Sequence, residues 1–346
     1  MNKLSEEESI DPKLTMSSAP EDVVSVGRAF HQRRTCRIIV DSSGDFAPEV
    51  VHRLGVEFIP FTYVTPEGEV EDDLWESIGP HEFYETLRKN PELHYSTCAI
   101  TPGRYLEIFE KAAQEGLPTI YLCLTAGLSS SIHNARQAAE MVRENHPGFE
   151  LYVVDTRCDS AAAELLAIEV TRQATRGLTA RELYEWAREA RYFIHGYFTL
   201  DGFSALAAGG RIPPAAATVG GKLDIKPELS YDTNGALSLC GMCRGRKKAL
   251  RAILQDFRDN YGHDPSLPLA IVSADAEKDA NWLEKEVRKQ EGCSQVTIIR
   301  SQVSPILGSH VGPGMVALVF WGTDRREKLS FTDKLARKVR GRSKEA

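Results

Sequence analysis

Short apolar runs alternate with segments of helical period through the first half of the chain. CRIIVDSSGDF (36–46) carries a strand into a Ser/Gly/Asp turn, and the helical pattern APEVVHRLG then ends on Gly55. VEFIPFTYV (56–64) reads as a second strand and the acidic TPEGEVEDDLWES as a loop. After the helical HEFYETLRKN, LHYSTCAITPGRYLEIFEKAAQEG predicts a loop, then a helix with Thr101 as N-cap and Pro102 at its first position. TIYLCLTAG (119–127) and ELYVVDT (150–156) are further strands, each followed by a helix: IHNARQAAEMVREN and SAAAELLAIEVTRQATRG (160–177). Nearly uninterrupted apolar strands alternating with helices indicate a parallel sheet covered on both faces. Ligands of such sheets sit at the carboxyl ends of the strands. DSSGD, TAGLSSS and DTRCDS therefore share one rim, with STCAITP near them.

Past about residue 178 the texture changes. A helix (LTARELYEWAREA) and a strand (192–199) lead to a Gly/Pro-rich stretch with an Asn-Gly turn signal. Strand, helix, strand and helix follow; then QVTIIR (295–300), the segment SPILGSHVGPG (304–314) read as a loop, and MVALVFW (315–321). The pattern predicts an α/β chain of two domains, an N-terminal parallel α/β domain (35–177) and a C-terminal α+β domain with a mixed sheet (178–330). Residues 1–34 lack periodicity and read as a disordered tail, and 331–346 as a basic, solvated one. No internal repeat is found.

At 346 residues the chain is long enough for two domains, each with its own core. With 42% hydrophobic and 26% charged residues it has the composition of a soluble globular protein. A net charge of −7 argues against nucleic acid as its main partner. No apolar run approaches a membrane span, and the polar N-terminus has no signal-peptide core. A cytoplasmic protein is expected, with transient membrane-surface contact left open. Seven scattered cysteines fit free thiols in a reducing compartment.

The candidate chemistry is sparse. Cys240 and Cys243 form one CxxC, which supplies only two metal ligands, so neither a metal nor any other cofactor is expected. GLSSS (127–131) opens a helix after a buried strand; its serines read either as a plain N-cap or as an anion site at the positive end of the helix dipole. Thr97 reads as a turn residue or a ligand contact. Arg211 follows two glycines that either end a helix or let backbone approach a ligand, and His310 reads equally as structural or functional. Walker A, GxGxxG, HExxH and GxSxG are all missing.

Taken in order, VDSSGDF (40–46), TCAITPGRYLEIF (97–109), GLSSSIHNARQAA (127–139), VVDTRCDSAAAELLA (153–167), LDGFSALAAGGRI (200–212), GGKLDIKPEL (220–229), CRGRKKAL (243–250) and GSHVGPGMVALVF (308–320) resemble the DegV family. These are the fatty-acid-binding proteins that partner the bacterial fatty acid kinase. The resemblance implies a ligand slot between the domains, the acyl chain in an apolar tunnel and the carboxylate at hydroxyls by its mouth. Carried over residue by residue, the lipid contacts fall on Thr97 with Cys98, Ser129 with Ser130, Arg211 and His310. It also implies a long-chain fatty acid as ligand, a separate kinase protein as partner and no catalysis by the chain itself, in keeping with the missing nucleotide motifs. Three departures stand out. Cys98 replaces a serine, a weaker hydrogen-bond donor in its place. Ser130 and Ser131 replace glycine and threonine, and DTRCDS is not followed by the usual glycines. The rival readings are an acyl-ester or thioester hydrolase or transferase using Ser129 or Cys98, with His310 as base, and a lipid-free regulatory relative.

Overall fold

The computed structural model describes residues 34–212 and 224–327. The proposed tails, apart from Arg34, and the GGKL that opens 220–229 lie outside the described residues.

Strands β1 (Arg37–Asp41), β2 (Glu57–Ile59), β6 (Thr119–Cys123) and β7 (Leu151–Asp155) form a fully parallel sheet in the order β2-β1-β6-β7. A second sheet has six strands, β10-β9-β8-β13-β11-β12: β8 (Ile194–Thr199), β9 (Ile225–Tyr231), β10 (Leu237–Arg244), β11 (Leu269–Ser273), β12 (Ile298–Gln302) and β13 (Val316–Trp321). Only β11 and β12 pair in parallel there. The expected α/β chain with one parallel and one mixed sheet is present.

A third, antiparallel sheet of β3 (Thr62–Thr65), β4 (Gly68–Glu71) and β5 (Ser96–Cys98) was not foreseen. The 56–64 run is two strands in two sheets, because Pro60 has no N–H with which to continue a ladder. β4 occupies part of the acidic stretch read as a loop, and β5 part of the STCAITP stretch.

The helices are α1 (Pro48–Leu54), α2 (Pro80–Lys89), α3 (Pro102–Glu115), α4 (Ser131–Asn145), α5 (Ser160–Thr175), α6 (Ala180–Ala190), α7 (Ser204–Ala208), α8 (Arg246–Asn260), α9 (Glu277–Arg288) and α10 (Pro305–Val311). Thr101 caps α3 as expected, accepting from Arg104 N at 3.2 Å, with Pro102 at the first position. The stretch 304–314 is mostly helix rather than loop. Ser304 and Pro305 form an N-cap and first-turn signal, and Gly312 (φ 72°) and Gly314 (φ 87°) stop the helix in conformations that favour glycine. Gly308, which suggested a turn, instead permits close packing: a Cβ there would lie 2.5 Å from Tyr84 Oη.

Strand period decides how the core is shared. Along β13, Val316, Leu318 and Phe320 face α8 and α9, while Ala317, Val319 and Trp321 join the core reached by the first sheet. In β11, Leu269 and Ile271 split from Ala270 and Val272 in the same way. The mixed sheet thus has a core of its own only on its outer face. Its inner face belongs to one continuous core with the parallel sheet, and α5 packs against β8, β11 and β13. That contact explains why α5 is buried almost all round, including Glu164 and Glu169. No helix among the described residues is long and apolar enough to cross a membrane.

Candidate functional site

Between the two large sheets lies a cavity of about 250 Å³. Thr97, Cys98, Ser129, Ser130, Arg211 and His310 all line it. They come from β5, the turn before α4, the segment after α7, and α10, so four separate parts of the chain meet there. Apolar residues make up most of the remaining wall, among them Phe61, Leu124, Phe198, Leu206, Ile306 and Leu307.

One contact that joins the two halves at the cavity is between Thr97 Oγ1 and His310 Nε2, 2.9 Å apart. His310 is 8% exposed, and its Nδ1 has no hydrogen-bond partner. Burial, with the Arg211 charge nearby, pushes its pKa down to about 4, so the ring is neutral at pH 7. Gly209 makes room for the imidazole, since a Cβ there would lie 2.2 Å from His310 Nδ1. Gly210, at φ 71°, takes a conformation that favours glycine just past α7. The two glycines before Arg211 therefore do different work, one making space and one turning the chain.

Arg211 is half-buried and donates to Gly209 O at 2.5 Å. It is the only permanent cation among the described residues that line the cavity, and burial lowers its pKa from the ordinary value. Ser129 Oγ accepts from Ser131 N at 3.2 Å and donates to Ser131 Oγ at 3.0 Å, while Ser131 Oγ accepts from Ile100 N at 3.2 Å. This chain of hydroxyls ties the start of α4 to the segment after β5. Ser130 occupies the N-cap position without making a side-chain cap, and Cys98 is an exposed free thiol. Gly127 serves packing rather than anion binding: a Cβ there would meet Gly235 O at 2.5 Å, in the turn joining β9 and β10.

Sequence reasoning missed the group that holds α10 in place. Asp45, in the turn after β1 (φ 50°), accepts from Ser304 N at 2.7 Å and from Ser160 Oγ at 2.5 Å. One carboxyl thus joins the first turn of the parallel sheet, the start of α5 and the start of the helix that bears His310. Burial lifts its pKa to about 8 despite those donors. Tyr84 of α2 adds a second fastening through a 2.5 Å hydrogen bond to Val303 O. Asp159, Ser160 and Tyr231 also line the cavity unforeseen, and Tyr231 donates its phenol to Asp159 Oδ1. The one signal available was an Asp-Ser pair at the carboxyl end of a parallel strand.

Cys240 and Cys243 lie on β10, away from the cavity, and all seven cysteines are free thiols. Among the described residues no cluster of His, Cys, Asp and Glu is arranged to hold a metal ion.

Comparison with known proteins agrees with this architecture. A family model described as "Uncharacterised protein, DegV family" matches residues 35–322. A DegV domain-containing protein of Clostridium perfringens is 28% identical over 285 residues, covering 82% of this chain and 97% of the relative. The crystal structure of a DegV lipid-binding protein from Thermotoga maritima superposes with a TM-score of 0.70 at 25% identity, over 84% of this chain and 99% of that one. The Streptococcus pneumoniae Fatty Acid Kinase (Fak) B3 protein loaded with linoleic acid shares the fold, with a TM-score of 0.71 at 22% identity over 83% of this chain and 99% of that one.

Proposed function

The chain belongs to the DegV family, and from that premise we propose that it binds a long-chain fatty acid between its two sheets and presents the carboxylate to a separate kinase for phosphorylation. The observation that carries the reading is the junction of Thr97 with His310 beside Arg211, at one part of an otherwise largely apolar cavity. A fatty acid needs such a division. Its chain gains roughly 0.8 kcal/mol per buried CH₂, while its carboxylate must keep hydrogen bonds or an ion pair once out of water. Arg211 supplies the opposite charge, Ser130 supplies a hydroxyl, and those of Thr97 and Ser129 become donors to the ligand on turning from His310 and Ser131. His310, neutral in the empty protein, gains a proton more readily once an anion lies beside it.

In this reading the protein is a carrier in the cytoplasm, without a cofactor and without catalysis of its own. His310 Nε2 is taken by Thr97, its Nδ1 has no carboxylate to orient it, and Ser129 bonds to Ser131. Among the described residues neither Ser129 nor Cys98 is hydrogen-bonded to His310, which supports binding over acyl hydrolysis by a nucleophile, base and acid in series. The lipid-binding Thermotoga relative and the linoleate-loaded streptococcal protein support the same ligand class.

Denaturing extraction and mass spectrometry of the purified protein test the proposal. Long-chain fatty acid is expected near one per chain, or after delipidation a saturable titration with oleate. An empty protein that also fails to bind added oleate overturns it. Acyl phosphate should form only when a separate kinase and ATP are supplied, and acyl thioesters should not turn over.

A further inference from the structure

One part of the cavity wall does not suit a plain hydrocarbon. Asp159 lines the cavity, is 8% exposed, and among the described residues its carboxylate accepts one hydrogen bond from a side chain, that of Tyr231, and one from its own backbone N–H. A carboxylate can accept about four hydrogen bonds, so acceptor capacity is left beside the space an acyl chain would fill. Helix capping does not explain the residue. It occupies the N-cap position of α5 but makes no side-chain cap bond. Nor does an ion pair explain it, for no salt bridge among the described residues involves it. Tyr231 and Ser160 stand next to it in the same wall, and Ser160 is already committed to Asp45. Burial raises the pKa of Asp159 only to about 6, which leaves it ionised at neutral pH. A saturated chain packed there would keep that carboxylate desolvated and short of donors, a costly arrangement.

Asp159 stands apart from the head-group residues in the same cavity. It lies at the start of α5, whereas Thr97 is on β5, Arg211 follows α7 and His310 is on α10. Arg211 is the charge that acts on His310, and Asp159 acts on neither of them. A donor on the ligand would therefore meet Asp159 away from the carboxyl head.

We infer that the preferred ligand is an acyl chain carrying a mid-chain hydroxyl, which donates a hydrogen bond to the Asp159 carboxylate beside Tyr231. The inference rests on the fatty-acid reading above and adds the chemical class of the chain. It assigns Asp159 a role in specificity that the head-group contacts cannot supply.

The test compares delipidated full-length protein titrated with stearate, with 10-hydroxystearate and with the methyl ether of the latter, which has the same oxygen but no proton to donate. The hydroxy acid should bind at least about tenfold tighter than stearate, as a hydrogen bond to a buried charge warrants. The ether should lose that advantage. Asp159→Leu should erase the ratio of hydroxy-acid to stearate affinity, and the ether series gives the answer without any variant should that protein fail to fold. Stearate binding as tightly as the hydroxy acid, or an ether as good as the alcohol, overturns the inference while leaving the fatty-acid proposal intact. Failure of all three ligands to bind sinks both.

Discussion

Asp45 offers the sharpest test of how the site is held together. Its carboxyl keeps a proton up to about pH 8 in the folded protein, against an ordinary value of 3.8. Between those values the folded state binds more protons than the unfolded chain, so stability falls as pH rises through the window. Asp72, raised by burial to about 7, and Asp159, at about 6, act with the same sign over narrower windows. His310 and His195, both pushed down to about 4 by burial, act oppositely, but only below the ordinary imidazole value of 6.5. Above pH 6.5 the histidines no longer contribute, but Asp256, raised to about 8, and Glu164 and Asp41, raised by burial, act with the same sign as Asp45, so only a comparison with a variant isolates it. One pKa unit corresponds to about 1.36 kcal/mol, so Asp45 removes about 2 kcal/mol across the interval from pH 6.5 to 8, or a few degrees of Tm in a chain of this size.

Asp45→Asn isolates the effect. The amide oxygen can still accept from Ser304 N and the amide nitrogen can donate to Ser160 Oγ, so the junction survives without the titrating proton. Melting temperatures or urea midpoints of both proteins, taken from pH 6.5 to 8, should diverge, with the wild type falling relative to the variant by about 2 kcal/mol. Parallel curves would refute the reasoning, because they would mean that the Asp45 carboxyl does not titrate in this window. Asp45→Ala should behave differently again. With Ser304 N left without its acceptor, α10 loosens, and fatty-acid affinity falls at every pH even though the residue is not a lining residue of the cavity.

Four further outcomes can be measured. Thr97→Val, which keeps shape but removes the bond to His310, should weaken oleate binding by about 1 kcal/mol, roughly fivefold in a displacement titration, with little change in Tm. Arg211→Met should cost about 2 kcal/mol or more in oleate affinity by removing the cavity's permanent cation, while the affinity for a long-chain alcohol stays nearly unchanged. Gly209→Ala should both destabilise the protein by about 1–3 kcal/mol and displace His310, seen as a lower Tm together with weaker oleate binding. Alkylation of the exposed Cys98, followed by peptide mass spectrometry, should slow when oleate fills the cavity, whereas Cys240 on β10 should react at the same rate with or without it.

Local pattern was enough for the parallel strands, the helices between them and the cap at Thr101. Each follows from period, propensity or capping chemistry within a few residues. The six candidate site residues, carried over from motif resemblance, all line one cavity. Three things required the tertiary structure. Why SPILGSHVGPG carries Gly308 inside a helix is seen only in its packing against Tyr84, a partner more than two hundred residues away. Whether His310 is charged turned on burial and on Arg211, neither of which a lone histidine in a motif discloses. The polar groups that fasten or line the cavity, Asp45, Ser160, Asp159 and Tyr231, are ordinary turn and strand residues until the fold desolvates them. Sequence period records which face of an element is apolar; it does not record which distant carboxyl is drawn out of water with it. The chain by itself therefore determined the parallel sheet, the mixed sheet and the family, while the packing of α5 against the mixed sheet and of α10 against β3 and β5 decided what the cavity can hold.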